Sequence, residues 1–413
     1  MSRSTLPSIT PSTSPEPPGG ARPRRRGRRL LVTLVAVVAV LVGVFYLGGG
    51  WYFSGLIDSG GLATTPWDGT PTYDQTVVAL ADGTVTLEPV GDPSTAFAQA
   101  SSYLLLWPGG SGHVGVPTVT GPTVTRPLAD VTGTPLTVGT SATLERDWYQ
   151  GTPQEALGLA YQDVTVTGGN GPMPAWYVPA AKATTTTAVL VHGRGTLRRE
   201  MLRALEIVHA AGLNALVISY LGDYGVADYP DGRSGFGATE WPDLQAAVQW
   251  SLDHGTTKVV LWGNSMGGAV SAAFLRDSAL ASSVTAVVFD AAMLDFGAAV
   301  DYGASKKNLP VMGAPPQSLT AVAEWMSSLR FGVDYTALNY AADTSWVRVP
   351  TLAIQGTADP TVPVGIGRTF AANNPDHVQY EEFDGAAHLE SWNTDRTRYT
   401  SVVTAFLATH APA

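Results

Sequence analysis

Ser265 stands between glycines in Gly263-Asn264-Ser265-Met266-Gly267, where the apolar run Val259–Trp262 gives way to the alanine-rich stretch Ala269–Leu275. A serine hydroxyl is a weak nucleophile until a base takes its proton, and the base works best when an acid orients it. Both partners exist downstream. Asp359 follows the strand-like TLAIQ in GTADPTVP, and His388 follows VQYEEF in DGAAHLESW. The order serine, acid, histidine, each at a strand end, suits acyl transfer through a serine. G-x-S-x-G alone is a weak signal. The strand before it and the helix after it give it weight, because a tight strand-to-helix turn lifts the hydroxyl above a sheet. Side chains at Gly263 or Gly267 would then strike neighbouring backbone.

The charge that develops on a reacting carbonyl oxygen needs donors. The backbone amides of Met266, at the helix start, and of Arg194, in HGRGT after the strand AVLV, are the candidate oxyanion pair. The Arg194 guanidinium is either a contact for an anionic substrate or an outward, solvated group. His209 and His254 suit helix C-termini, while His113, His377 and His410 fall in loops or the tail. No H-E-x-x-H or other metal spacing occurs, so neither metal nor cofactor is expected. Gly110-Ser111-Gly112-His113-Val114-Gly115 matches G-x-G-x-x-G, but the prolines and β-branched residues behind it preclude the helix a dinucleotide needs. It reads as a loop.

These residues need a scaffold. From about Ala160, apolar runs of strand length recur at Ala188–Val191, Leu216–Ile218, Val259–Trp262, Ala286–Phe289, Leu352–Ile354 and Val378–Phe383. Helical periodicity fills Met201–Ala211 and Trp241–His254, the latter with Trp241, Leu244, Val248 and Leu252 on one stripe. Continuous rather than alternating apolar strands imply burial on both faces, hence an α/β fold with a doubly wound, mostly parallel sheet. The segment 295–340, with Trp325, Met326, Phe331, Tyr335 and Tyr340, is expected to hold short helices inserted as a lid. Ahead of this domain (159–413), residues 54–158 read as a small β-rich module, with a hairpin around Asp82-Gly83.

The first 29 residues hold seven arginines against one acid and cannot build a core. No charge then appears from Leu30 through Ile57. About 20 apolar residues span a bilayer, so 30–53 is expected to be a single-pass anchor with aromatic residues at its far interface. The run is too long for a signal-peptide core. The arginines place the N-terminus in the cytoplasm and the catalytic domain outside. Net charge is −10 with the positive excess confined to the tail, which argues against a nucleic-acid partner. There is no cysteine, so disulfides, thiolate metal sites and a cysteine nucleophile are excluded.

VLVHGRG, GNSMGG, GTADPTVP and DGAAHLESW together resemble the serine α/β-hydrolase superfamily over roughly residues 160–410. DGRSGFGATEWPDLQAAVQW, AWYVPA and the upstream LLLWPGG further resemble single-span α/β-hydrolases of actinobacteria. The resemblance implies ester, thioester or amide hydrolysis through an acyl-enzyme on Ser265, with His388 as base and then acid and Asp359 orienting it. Some members carry the acid after the preceding strand, where Asp290 stands in VVFDAA as the alternative acid, although the Pro-flanked loop of Asp359 matches the usual position better. The expectation is a membrane-anchored, extracytoplasmic carboxylesterase acting on a small-molecule or lipid-like acyl ester. Its alternatives are a peptidase or acyltransferase on cell-envelope material, or an inactive surface-binding protein.

Overall fold

The computed structural model describes residues 24–309 and 313–412, together with Met1, Ser2 and Ser4. It separates into two units, one ending at Gly49 and one beginning at Gly50. The first is represented by the early turns of helix α1 (Arg24–Ile57). Its valines and leucines, from Leu30 to Leu47, are largely exposed. The stretch Gly27–Leu62 is long and apolar enough to cross a membrane.

The second unit opens with the end of α1, where Gly50 approaches Val322 so closely that an added Cβ would lie 2.6 Å from its Cγ1. A stem follows. Asp58 pairs with Arg233, the Thr64 amide donates to the Gly232 carbonyl at 3.0 Å, and the Ser234 amide donates to that of Leu62 at 2.9 Å. The β-rich region then builds seven strands: β1 (Gln75–Ala81), β2 (Thr84–Pro89), β3 (Tyr103–Trp107), β4 (Gly110–Val114), β5 (Thr118–Thr120), β6 (Thr123–Gly133) and β7 (Ser141–Glu145), with the single-turn helix α2 (Thr95–Ala98) between β2 and β3. All pairings are antiparallel, in the order β2-β1-β7-β3-β4-β6-β5, and an added β2–β6 pairing closes them into a barrel around Val77, Leu87, Leu105 and Trp107. Closure removes the open edges of so small a sheet. The hairpin at Gly83 falls where the sequence put it, with φ +69°. Gly110–Val114 is strand β4 rather than a loop, and His113 lies within it. Strands follow it, so no helix N-terminus is present there to hold a pyrophosphate.

After the short helix α3 (Pro153–Leu157), an eight-stranded sheet forms: β8 (Gln162–Gly168), β9 (Gly171–Val178), β10 (Thr186–Val191), β11 (Asn214–Ile218), β12 (Lys258–Asn264), β13 (Val284–Asp290), β14 (Thr351–Gly356) and β15 (Val378–Phe383). Its order is β15-β14-β13-β12-β10-β11-β9-β8. The six strands from β10 onward are mutually parallel, and β9 and β8 complete the edge antiparallel. On one face α4 (Leu202–Ala210) and α11 (Arg396–His410) pack in a core with Val260, Val288 and Ile354. On the other, α5 (Trp241–Asp253), α6 (Met266–Asp277) and α9 (Val364–Ala372) pack in a core with Val189, Leu261 and Val287. Every residue of β10 and β14 is buried, which is why these strands read as unbroken apolar runs. Between β13 and β14 lie α7 (Phe296–Ser305) and α8 (Gln317–Phe331), and α10 (Ser391–Thr394) precedes α11. His410 lies in the last turn of α11 rather than in an irregular tail.

Candidate active site

Chain order reverses between β10 and β12, and a crevice opens there at the carboxyl ends of the strands, as in other doubly wound sheets. β12 delivers Ser265 into that crevice. Its φ of +49° and ψ of −116° are strained values for a serine. The surroundings hold it there. The Ser265 amide donates to the Asp290 carbonyl at 2.9 Å, and its own carbonyl accepts from Gly268 and Met293, both at 3.0 Å. A Cβ on Gly267 would overlap the carbonyl oxygens of Val191 and His192, so only glycine lets α6 start this close to β10.

The structure brings Ser265, His388 and Asp359 into one hydrogen-bonded chain. The Ser265 hydroxyl lies 2.9 Å from His388 Nε2, and His388 Nδ1 lies 2.8 Å from Asp359 Oδ2. With the proton on Nδ1, Nε2 is free to accept from the serine. Asp359 is tied down on both oxygens: Oδ2 also accepts from Gln355 Nε2 at 2.9 Å, and Oδ1 accepts the amides of Thr361 and Val362 at 2.8 Å. Asp359 is buried and Ser265 only 9% exposed, so the chain works in a site of reduced dielectric.

Asp290 faces elsewhere. Its Oδ2 accepts the Tyr399 hydroxyl at 2.7 Å. Complete burial pushes its pKa up to about 6, more than the Tyr399 hydrogen bond lowers it. It makes no hydrogen bond to the imidazole.

The loop after β10 is fixed by partners that sequence reasoning missed. Glu200 accepts the Gly193 amide at 2.8 Å and the Arg146 guanidinium at 2.8 Å. Burial alone would raise the Glu200 pKa, but Arg146, His192 and the Gly193 amide together hold it at about 2. His192 bridges to Asp223 at 2.8 Å, and the Tyr220 hydroxyl donates to the His192 carbonyl at 2.9 Å. The Gly193 N–H being taken, the next amide along is that of Arg194. Met266, as the first residue of α6, has no intrahelical acceptor for its amide. Arg194 is half-buried and also lines the cleft onto which Ser265 opens. It donates to the carbonyls of Ala63 and Gly60 in the stem and lies over the Phe236 ring.

The loop that carries His388 is bolted to the barrel. Tyr103 donates its hydroxyl to Glu390, the Ser102 amide donates to the Asn393 carbonyl at 3.1 Å, and Asn393 Nδ2 donates to the Ser102 and Arg146 carbonyls. Glu390 and Asn393 gave no chemical signal in the sequence, because their partners lie more than 240 residues away. Ser265, His388 and Met266 open onto a cleft of about 690 Å³ that Phe53, Phe236, Met293 and Phe296 also line.

Residues 188–400 match the model of the alpha/beta hydrolase family. Among curated proteins, the alpha/beta hydrolase domain-containing protein WAV2 of Arabidopsis thaliana is 23% identical over 282 residues, covering 62% of this chain and 81% of that one. Among solved structures, the esterase Pf2001 of Pyrococcus furiosus is similar with a TM-score of 0.49 and 21% identity, covering 63% of this chain and 96% of its own. The esterase RhEst1 of Rhodococcus sp. ECU1013 is similar with a TM-score of 0.42 and 18% identity, covering 61% of this chain and 100% of its own. With the matched segment running from β10 into α11, through the strand ends that present Ser265, Asp359 and His388, the chain belongs to the alpha/beta hydrolase family.

Proposed function

We propose that this protein is a membrane-anchored serine hydrolase that cleaves carboxylic esters through an acyl-enzyme on Ser265. The observation that carries the reading is the hydrogen-bonded chain from Ser265 through His388 to Asp359 at the floor of a cleft. His388 Nε2 takes the hydroxyl proton as Ser265 Oγ attacks the acyl carbon, then returns it to the departing alcohol. Water repeats the sequence to release the acid. Asp359 keeps the imidazole in the tautomer that accepts at Nε2 and stabilises the imidazolium. The amides of Met266 and Arg194 receive the charge on the carbonyl oxygen. Residues 30–53 anchor the chain, and the arginine-rich tail keeps the N-terminus cytoplasmic, so the hydrolase acts outside.

A fluorophosphonate probe tests the nucleophile. The protein is expected to be labelled and the Ser265→Ala variant not; equal labelling of both would overturn the assignment. Turnover of p-nitrophenyl acetate, lost on the same substitution, tests ester cleavage itself. Protease accessibility on intact cells tests the orientation.

A further inference from the structure

The cleft over Ser265 has walls that ester hydrolysis alone does not call for. Its lining includes Phe53, Leu56 and Ile57, from the last turns of α1, and Phe296 and Val300 of α7. The first three residues close the charge-free run Leu30–Ile57. About 20 residues cross a bilayer, so a span counted from Leu30 is complete only a turn or so before Phe53. This wall is fixed rather than loosely tethered. Arg330 of α8 donates to the Trp51 carbonyl at 2.8 Å and to the Ser54 hydroxyl at 2.6 Å, with its guanidinium 3.8 Å from the centre of the Trp51 ring. The stem behind it is clamped by Arg233 on Asp58.

The same cleft is lined by Lys306 and Lys307, two of the four lysines in the chain, in a protein of net charge −10. Both are exposed. Lys306 lies over the Tyr302 ring at 4.6 Å, and the Tyr302 hydroxyl donates to the Asp359 backbone carbonyl at 3.2 Å, which ties the helix bearing this cation to the loop of Asp359. An apolar slot and these exposed lysines, in a cleft that Arg146 and Arg194 also line, fit an amphiphile with a hydrocarbon chain and an anionic group. The size, about 690 Å³, lies within the range of small-ligand sites. A hydrocarbon chain seated in an apolar slot stays out of water, as it does in a bilayer.

We propose that the substrate is an anionic membrane lipid ester whose acyl chain lies between Phe53–Ile57 and Phe296–Val300 and whose headgroup meets Lys306 and Lys307. The proposal rests on the serine-hydrolase reading above. Ser265 Oγ bonds to the acyl carbon, the ester oxygen leaves as an alcohol carrying the proton from His388, and water then releases the free fatty acid.

The test uses the full chain reconstituted in vesicles of dioleoylphosphatidylglycerol or of dioleoylphosphatidylcholine, with fatty-acid release as the readout and p-nitrophenyl acetate as a soluble control. Phosphatidylglycerol is expected to be cleaved at least tenfold faster than phosphatidylcholine. Lys306→Gln with Lys307→Gln should reduce that preference to about twofold. Leu56→Ser should lower the ratio of lipid to acetate turnover about tenfold, since a polar side chain there spoils the chain seat more than the small acetyl site. Equal rates on both lipids, or a preference that survives loss of both lysines, would overturn the headgroup assignment. A photoactivatable phosphatidylglycerol on the Ser265→Ala variant gives a readout independent of catalysis. Crosslinks at residues 296–304 support the seat, and their absence overturns it. If they form while neither lipid nor acetate is cleaved by the parent protein, the lipid seat stands and the hydrolase reading fails.

Discussion

Glu200 accepts the amide of Gly193 at 2.8 Å, and in doing so decides which N–H of the loop after β10 remains to face a substrate. The same carboxylate holds Arg146, at the end of the barrel, at 2.8 Å. A single buried acid therefore joins the loop after β10 to the accessory module. Glu200→Ala should lower kcat for p-nitrophenyl acetate by about 10- to 100-fold, a little less than direct loss of an oxyanion donor costs, and KM should change little. Glu200→Gln should recover part of the loss, because its carbonyl can still accept the Gly193 amide. Equal damage from both variants would assign the residue a purely structural role.

Asp359 and Asp290 are to be separated by isosteric substitution. Asp359→Asn removes the acceptor that keeps the His388 proton on Nδ1, and kcat should fall by about 10³- to 10⁴-fold. Asp290→Asn should leave kcat within about threefold of the parent, since Tyr399 rather than His388 is its partner. The reverse ranking in steady-state kinetics would move the acid to Asp290.

Asp290 also predicts a pH dependence of stability. Burial raises its folded-state pKa from 3.8 to about 6. The folded protein thus holds this proton more tightly than the unfolded chain does. The associated stability is fully present below about pH 4 and lost as pH rises through about 6, amounting to about 3 kcal/mol. Denaturant titrations of the parent and of Asp290→Asn, from pH 4 to 7, should show the difference between them shift by that amount toward the variant. A constant difference across the range would contradict the assignment.

Gly267→Ala places a methyl group against the carbonyls of Val191 and His192. Backbone on both sides cannot yield as a flexible side chain could, so a loss of about 3 kcal/mol or more is expected. Thermal unfolding reads it, and an unchanged Tm would mean that α6 can retreat from β10.

Tyr103→Phe removes the hydroxyl that donates to Glu390, two residues from His388. Burial already raises the Glu390 pKa, and an unpartnered carboxylate there costs about 1–3 kcal/mol. The expected outcome is a lower Tm and a kcat reduced about threefold to tenfold as the His388 loop loosens. Unchanged kinetics would show that the barrel does not steady that loop.

The sequence by itself determined the sheet and the order of the reacting groups. Unbroken apolar runs such as Ala188–Val191 can only be strands buried on both faces, and β10 is buried throughout. The glycines around Ser265 announced a turn too tight for side chains, because that constraint is local and local geometry is written in neighbouring residues. Periodicity did not reveal closure of the β-rich region into a barrel, nor that Gly110–Val114 is a strand, since its glycines weaken the β signal while pairing with β3 and β6 supplies the missing stability. Only the tertiary structure set His388 on Asp359 rather than Asp290, spent the Arg194 guanidinium on the stem, and gave Gly193, Glu200 and Arg146 to one another. Those choices rest on contacts between residues distant in the chain. Their strength depends on burial and distance, which no single stretch of sequence encodes.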